Sequence, residues 1–245
     1  MSSVQLSYSS SSLPSNFDSY LNWPGLISPL TNQGQCSSSW AVATTAVLSD
    51  RASIARRKTI NLSSESLLSC SFVIGDRCQI RQVEEAWTHL RRKGAWSVNC
   101  QKGIHSCQST CPRIKALPAY NVGRGNTASR PQRREEDIMH ELLTQGPVQA
   151  VMQIFSDFFM YDGGIYHKTN TAMNTLVGYH AVRIVGWGQD GRVKYWKVAN
   201  SWGPSWGEEG FFRINKGQNE CLIEEYVMAA WPRKERSTRK RRYRG

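Results

Sequence analysis

Hydrophobic spacing divides the chain into two halves of different character. Residues 39–58, "SWAVATTAVLSDRASIARRK", place Ala43, Ala46, Val47 and Ile54 at near-helical intervals and end in three basic residues. That spacing predicts a buried helix whose C-terminal carbonyls face the cations. Ser37 and Ser38 are its candidate N-caps. "SSESLLSC" (63–70) has the pattern of a capping box leading into a short helix. "QVEEAWTHLRRKG" (82–94) sets Val83, Ala86, Trp87 and Leu90 on one face, with Gly94 as C-cap. "EEDIMHELLTQG" (135–146) predicts one more helix.

After Gly146-Pro147 the chain turns to short β-type runs: "VQAVMQI", "GIYH", "HAVRIVGWG", "YWKVANSW" and "GFFRI". Gly, Asp and Asn turns separate them. Helices first and antiparallel strands afterwards predict an α+β chain of two lobes. Residues 101–134, rich in Gly, Pro, Ser and Arg, read as a connecting loop, and Ser-rich residues 7–12 as a flexible lead-in.

Composition adds bounds. The chain has 245 residues, 40% of them hydrophobic, enough for a sizeable core. No apolar run approaches the ~18 to 20 residues of a membrane span. The N-terminus lacks the basic start and apolar stretch of a signal peptide. Yet six of the seven cysteines fall within residues 36–111, which reads as a disulfide framework built in an oxidising compartment. Both hold if Met1 opens a fragment or an incomplete gene model, and the chain is expected to be secreted and extracellular. The triplet Asn61-Leu62-Ser63 makes Asn61 a glycosylation candidate. No CxxC pair or His cluster has metal spacing, so neither a metal nor a cofactor is expected.

The net charge is +12, and residues 233–245, "RKERSTRKRRYRG", carry eight Lys/Arg against one Glu. Two readings stay open for this tail: a solvated, disordered end, or a binding segment for heparin-like polyanions. Nucleic acid is the disfavoured polyanion, because Tyr243 is the tail's one stacking residue.

Three longer blocks carry chemistry. "NQGQCSSSWA" (32–41), "YHAVRIVGWG" (179–188) and "ANSWGPSWGEEGFFRI" (199–214) resemble the active-site blocks of papain-like cysteine peptidases, in family order. Within that family, "LPSNFDSYLNWPG" (13–25) and "AAW" (229–231) are similar to the tubulointerstitial nephritis antigen group, secreted matrix proteins with a cathepsin B-like domain. The resemblance runs from about Leu13 to Trp231. It implies a two-lobed papain-like domain over 13–232, between a lead-in (1–12) and a tail (233–245). A helical lobe (about 28–120) and an antiparallel β-barrel lobe (about 121–231) would flank the active-site cleft.

The family's chemistry uses a thiolate at a helix N-terminus paired with a histidine. By resemblance Gln33 is the oxyanion donor, His180 the base, Asn200 its orienter and Trp202 the shield of their hydrogen bond. The nucleophile's place holds Ser39, whose hydroxyl is far less acidic than a thiol. Ser37 replaces a glycine, and Cys78-Gln79-Ile80-Arg81 stands where the family has Cys-Asn-Gly-Gly. Ile80 and Arg81 thus put side chains where extended substrate should run, and Val151 is expected on the cleft wall. The resemblance also implies the bridges Cys36–Cys78, Cys70–Cys107 and Cys100–Cys111, with Cys221 unpaired. Only six residues separate Cys100 from Cys107, too few for cathepsin B's long occluding loop. His89, His105, His140 and His167 match no motif and are expected at the surface.

These departures favour an inactive homologue whose partners are matrix proteins or cell-surface receptors. Two alternatives remain: a peptidase using Ser39 as nucleophile, and a polyanion-binding module built on the tail.

Overall fold

The computed structural model describes residues 13–70, 78, 82–100, 111–122, 134–171 and 173–234. Its helices are α1 (Ser19–Asn22), α2 (Ser39–Arg56), α3 (Glu65–Leu68), α4 (Val83–Arg92) and α5 (Arg134–Gln145). Its strands are β1 (Phe17–Asp18), β2 (Ala95–Trp96), β3 (Arg113–Ile114), β4 (Tyr120–Asn121) and β5 (Val148–Phe155). They continue with β6 (Ile165–Tyr166), β7 (Leu176–Asp190), β8 (Val193–Ala199), β9 (Phe211–Asn215) and β10 (Tyr226–Ala229).

Helix α2 is buried on nearly every side, so its polar residues need internal partners. The hydroxyls of Thr44, Thr45, Ser49 and Ser53 donate to carbonyls one turn back, at 2.5 to 2.9 Å. Ser49 and Ser53 also accept the N–H groups of Leu62 and Ile60, which seats that segment along the helix. The helix stops at Arg56 because Arg57 turns left-handed (φ 50°) and its N–H closes on the Ser53 and Ile54 carbonyls. Ser38 occupies the N-cap without a side-chain cap bond; its carbonyl accepts the N–H groups of Ala41 and Val42. At α3 the hydroxyl of Ser63 accepts the Glu65 N–H.

Two adjacent residues fasten α2 to the other lobe. Asp50 Oδ2 pairs with Arg183 of β7 at 2.7 Å, and Asp50 Oδ1 accepts both the N–H and the hydroxyl of Ser28. Arg51 pairs with Glu141 of α5 at 2.8 Å and donates to the carbonyls of Gly146 and Pro147. A buried hydrogen-bond chain from Trp87 (α4) through Gln149 (β5) to Thr44 (α2) adds a third tie.

An eight-stranded sheet in the order β4-β10-β5-β7-β8-β9-β6 carries the second half, with β1 paired beside β7. It encloses a core that includes Ile138, Leu142, Ile184, Trp196 and Phe212. All its pairings are antiparallel except β6 with β9. A second cluster, with Trp40, Val47, Leu67, Trp87 and Leu90, fills the helical lobe. The mixed α+β architecture is the expected one.

Its order along the chain is less tidy than helices followed by strands. Phe17 stacks on Trp187 at 4.7 Å, which draws the N-terminal segment into the sheet as β1. Gly186 permits this crossing, since a Cβ there would lie 2.3 Å from the Phe17 carbonyl oxygen. The stretch read as a loop contains β3 and β4. Cys36–Cys78 and Cys100–Cys111 are bridged. Cys70 is disulfide-bonded, and its expected partner Cys107 lies outside the described residues. Cys221 is free and buried.

His89 corrects the surface expectation. It is 7% exposed on the inner side of α4, where burial, and then the charges of Arg113 and Lys93, push its imidazole down to about 4. His140 is half-buried, His167 is exposed, and His105 lies outside the described residues. Among the described residues no helix is long and apolar enough to cross a membrane.

Candidate active-site cleft

The first residue of α2 places Ser39 opposite β7, which carries His180. The Ser39 hydroxyl accepts a hydrogen bond from the Ala181 N–H at 3.3 Å. No hydrogen bond joins it to His180 among the described residues. His180 Nε2 lies 2.8 Å from Asn200 Oδ1, and the same oxygen accepts the Ser201 N–H. Because two donors converge on it, that atom is the amide oxygen, and His180 carries its proton on Nε2. Trp202 lies 5.0 Å from the imidazole, centroid to centroid, and stacks on Phe159 at 5.2 Å. Phe158 and Trp206 meet its other edges.

Gln33 reaches this group through Ser201. Its N–H donates to the Ser201 carbonyl, and its Oε1 accepts the Ser201 hydroxyl. One amide hydrogen on Nε2 is committed to the Cys36 carbonyl at 2.8 Å, within its own loop. The fold thus gathers Gln33, Ser39, His180, Asn200 and Trp202, residues up to 169 positions apart.

Electrostatics at the site are quiet. Burial pushes the His180 imidazole down to about 4, opposed by its hydrogen bond to Asn200. At neutral pH the site therefore holds a neutral imidazole and a neutral hydroxyl. Nothing in it resembles a pre-formed ion pair. A serine nucleophile works with a buried carboxylate behind the histidine, and the group behind His180 is an uncharged amide.

The cleft beside Ser39 has a volume of about 450 Å³ and is lined by Trp40, Val83, Glu84, Val151, Tyr179 and Tyr226 among others. Val151 was expected there from resemblance. Glu84 and Tyr226 were not, and a hydrogen bond from the tyrosine hydroxyl to the carboxylate joins them. They lie 142 positions apart in unrelated motifs, so no local sequence signal could pair them. Ile80 and Arg81 lie outside the described residues. Asn61 is half-buried, with its side-chain oxygen enclosed and unpartnered. No group of three His, Cys, Asp or Glu suited to a metal occurs among the described residues.

A family model for papain family cysteine proteases matches residues 13–231. The chain is 38% identical over 265 aligned residues to the tubulointerstitial nephritis antigen-like protein of Mus musculus, covering 90% of this chain and 55% of that one. It thus spans about half the length of that relative. Cathepsin B-like cysteine proteinase 4 of Caenorhabditis elegans is 32% identical, with 90% of this chain and 76% of that one covered. Among solved structures, procathepsin B of Trypanosoma congolense superposes with a TM-score of 0.82 at 31% identity, covering 95% of this chain and 84% of that one. The chain belongs to the papain family of cysteine proteases, as a cathepsin B-like domain.

Proposed function

We propose that this is a catalytically silent papain-family domain that acts outside the cell as a matrix or adhesion ligand. The observation that carries the silence is the state of Ser39. Its hydroxyl is turned to a backbone N–H, beside an imidazole that is neutral at physiological pH. A hydroxyl there draws no ion pair from His180, and one hydrogen of the expected oxyanion donor Gln33 is held by Cys36. Disulfide bonding of Cys36, Cys70, Cys78, Cys100 and Cys111 supports assembly in an oxidising compartment. The matrix role follows from the resemblance to the tubulointerstitial nephritis antigen group, to whose antigen-like protein of Mus musculus the chain is 38% identical. Matrix proteins or cell-surface receptors are the proposed partners, with glycosylation at Asn61.

The second reading is a working peptidase with a serine nucleophile. The intact His180–Asn200 hydrogen bond favours it, since the base is still oriented. The two separate by incubation with a broad peptide library alongside Ser39→Ala. No turnover above background in either protein is the expected result. Turnover that disappears in Ser39→Ala would establish the peptidase.

A further inference from the structure

Three segments distant in sequence bring cations to one face of the helical lobe. Arg91 and Arg92 end α4 and Lys93 caps it; Arg113 and Lys115 lie on and just after β3; Arg233 and Lys234 follow β10. Backbone contacts hold these segments together. The Ala116 N–H donates to the Leu90 carbonyl at 3.0 Å, and the Arg233 N–H to the Lys115 carbonyl at 2.7 Å. Gly94 (φ +76°) lets the chain pass so closely that a Cβ there would lie 2.6 Å from the Ile114 carbonyl oxygen and 3.0 Å from the Lys115 side chain. The Arg113 guanidinium lies 4.8 Å from the ring centroid of Trp96.

Arg91, Arg92, Lys93, Arg233 and Lys234 are exposed, and Arg113 and Lys115 half-exposed. Arg91, Arg92, Lys115, Arg233 and Lys234 have no ion-pair partner among the described residues. Cations that complement a helix C-terminus account for Arg91, Arg92 and Lys93. They do not account for Lys115, Arg233 and Lys234, which come from other segments. The positive field reaches inward as well: Arg113 and Lys93 both push the buried His89 imidazole down.

We propose that this face, made of the described residues up to Lys234, binds a linear sulfated polysaccharide. Closely gathered like charges repel one another until a polyanion neutralises them, and binding is driven by release of its condensed counterions. The sulfated class follows from two observations. The bridged cysteines suit a compartment where sulfated glycans are the abundant polyanions. The described face offers no exposed aromatic for base stacking, Trp96 being 1% exposed. This inference rests on the extracellular reading above and is independent of the chemistry at Ser39.

The test measures heparin binding by the full chain against salt concentration. The first variant is Arg91→Gln/Arg92→Gln/Lys115→Gln. A charge-matched control on the other lobe is Lys168→Gln/Arg192→Gln/Lys194→Gln, and a third protein ends at Lys234. Thermal midpoints of all four establish folding. The first variant should bind at least tenfold more weakly near 0.15 M salt. Its log–log salt slope should fall by about 2 to 3, at roughly 0.7 to 0.9 per lost contact. The control should bind as the parent does, and the protein ending at Lys234 should keep measurable binding. Parent-like binding by the first variant, with all binding lost on removing 235–245, would overturn the face and leave the polyanion reading to the tail. An equal loss in the control would reduce the effect to net charge. Single-stranded RNA bound as tightly as heparin would overturn the sulfated occupant. Failure of the parent itself to bind heparin would overturn this proposal while leaving the silent-peptidase reading intact.

Discussion

The two walls of the cleft are held together differently. On the sheet side, His180, Asn200 and Trp202 form a connected group, locked by the Ser201 N–H and packed against Phe158, Phe159 and Trp206. On the helix side, Ser39 turns to a backbone N–H and Gln33 donates into its own loop. The difference shows which part of such a site is also built into the core. The histidine and its tryptophan are embedded in an aromatic core, so losing them would cost packing energy whatever the site does. The Ser39 side chain is small and makes one hydrogen bond among the described residues, so the fold depends on it little.

The largest expected effect tests whether the walls stand independently. Asp50→Ala leaves Arg183 as an unpaired buried charge at the joint between α2 and β7, and should destabilise the protein by about 3 to 5 kcal/mol. Chemical denaturation measures this; a loss under about 1 kcal/mol would mean each wall is held by its own lobe.

Acid should act through His180 on the sheet wall and through His89 in the helical lobe. His180 is held near 4 when folded and titrates near 6.5 when unfolded. The unfolded chain therefore binds more protons between those values, and stability falls as pH drops from 6.5 towards 4. The expected loss at pH 5 is about 2 kcal/mol from His180, with His89 shifting in the same direction. A His180→Gln variant should show a flatter melting-temperature profile between pH 7 and 5. An unchanged profile would show that His180 is not enclosed in solution.

The smallest effect probes how much of the helix wall survives. Ser39→Cys puts a thiol at the N-terminus of α2 beside His180, which lowers its pKa from ~8.5. Labelling by iodoacetamide at pH 6 should be roughly tenfold or more faster than for an unperturbed cysteine, the larger thiolate fraction outweighing its weaker nucleophilicity. Peptide cleavage should stay poor, because Ile80 and Arg81 remain in the substrate path expected from resemblance. Ordinary labelling rates would mean the wall does not activate a thiol at this position.

Much of this was legible beforehand. The spacing of Val83, Ala86, Trp87 and Leu90 marked α4 within a residue or two, and the run 135–146 marked α5. Both helices are amphipathic, and period-3.6 patterns are what sequence displays best. Helix α2 was readable from its alanines, although burial on all faces blurs its stripe. The misses came from contacts. His89 looked like a surface residue because a lone histidine on a basic helix carries no mark of what packs over it. Glu84 and Tyr226 meet only because α4 and β10 converge on the cleft.

The sequence by itself determined the fold class, the bounds of the main helices and, through three blocks, the family. These are local or block-wise properties, written in spacing and residue identity. Only the tertiary structure decided that the N-terminal segment joins the sheet as β1, that Ser39 turns to Ala181, and that the cations of α4, β3 and the segment after β10 share one face. Each of those depends on which distant segments touch. Hydrogen bonds, close backbone approach and burial set such contacts, and no single stretch of chain encodes them.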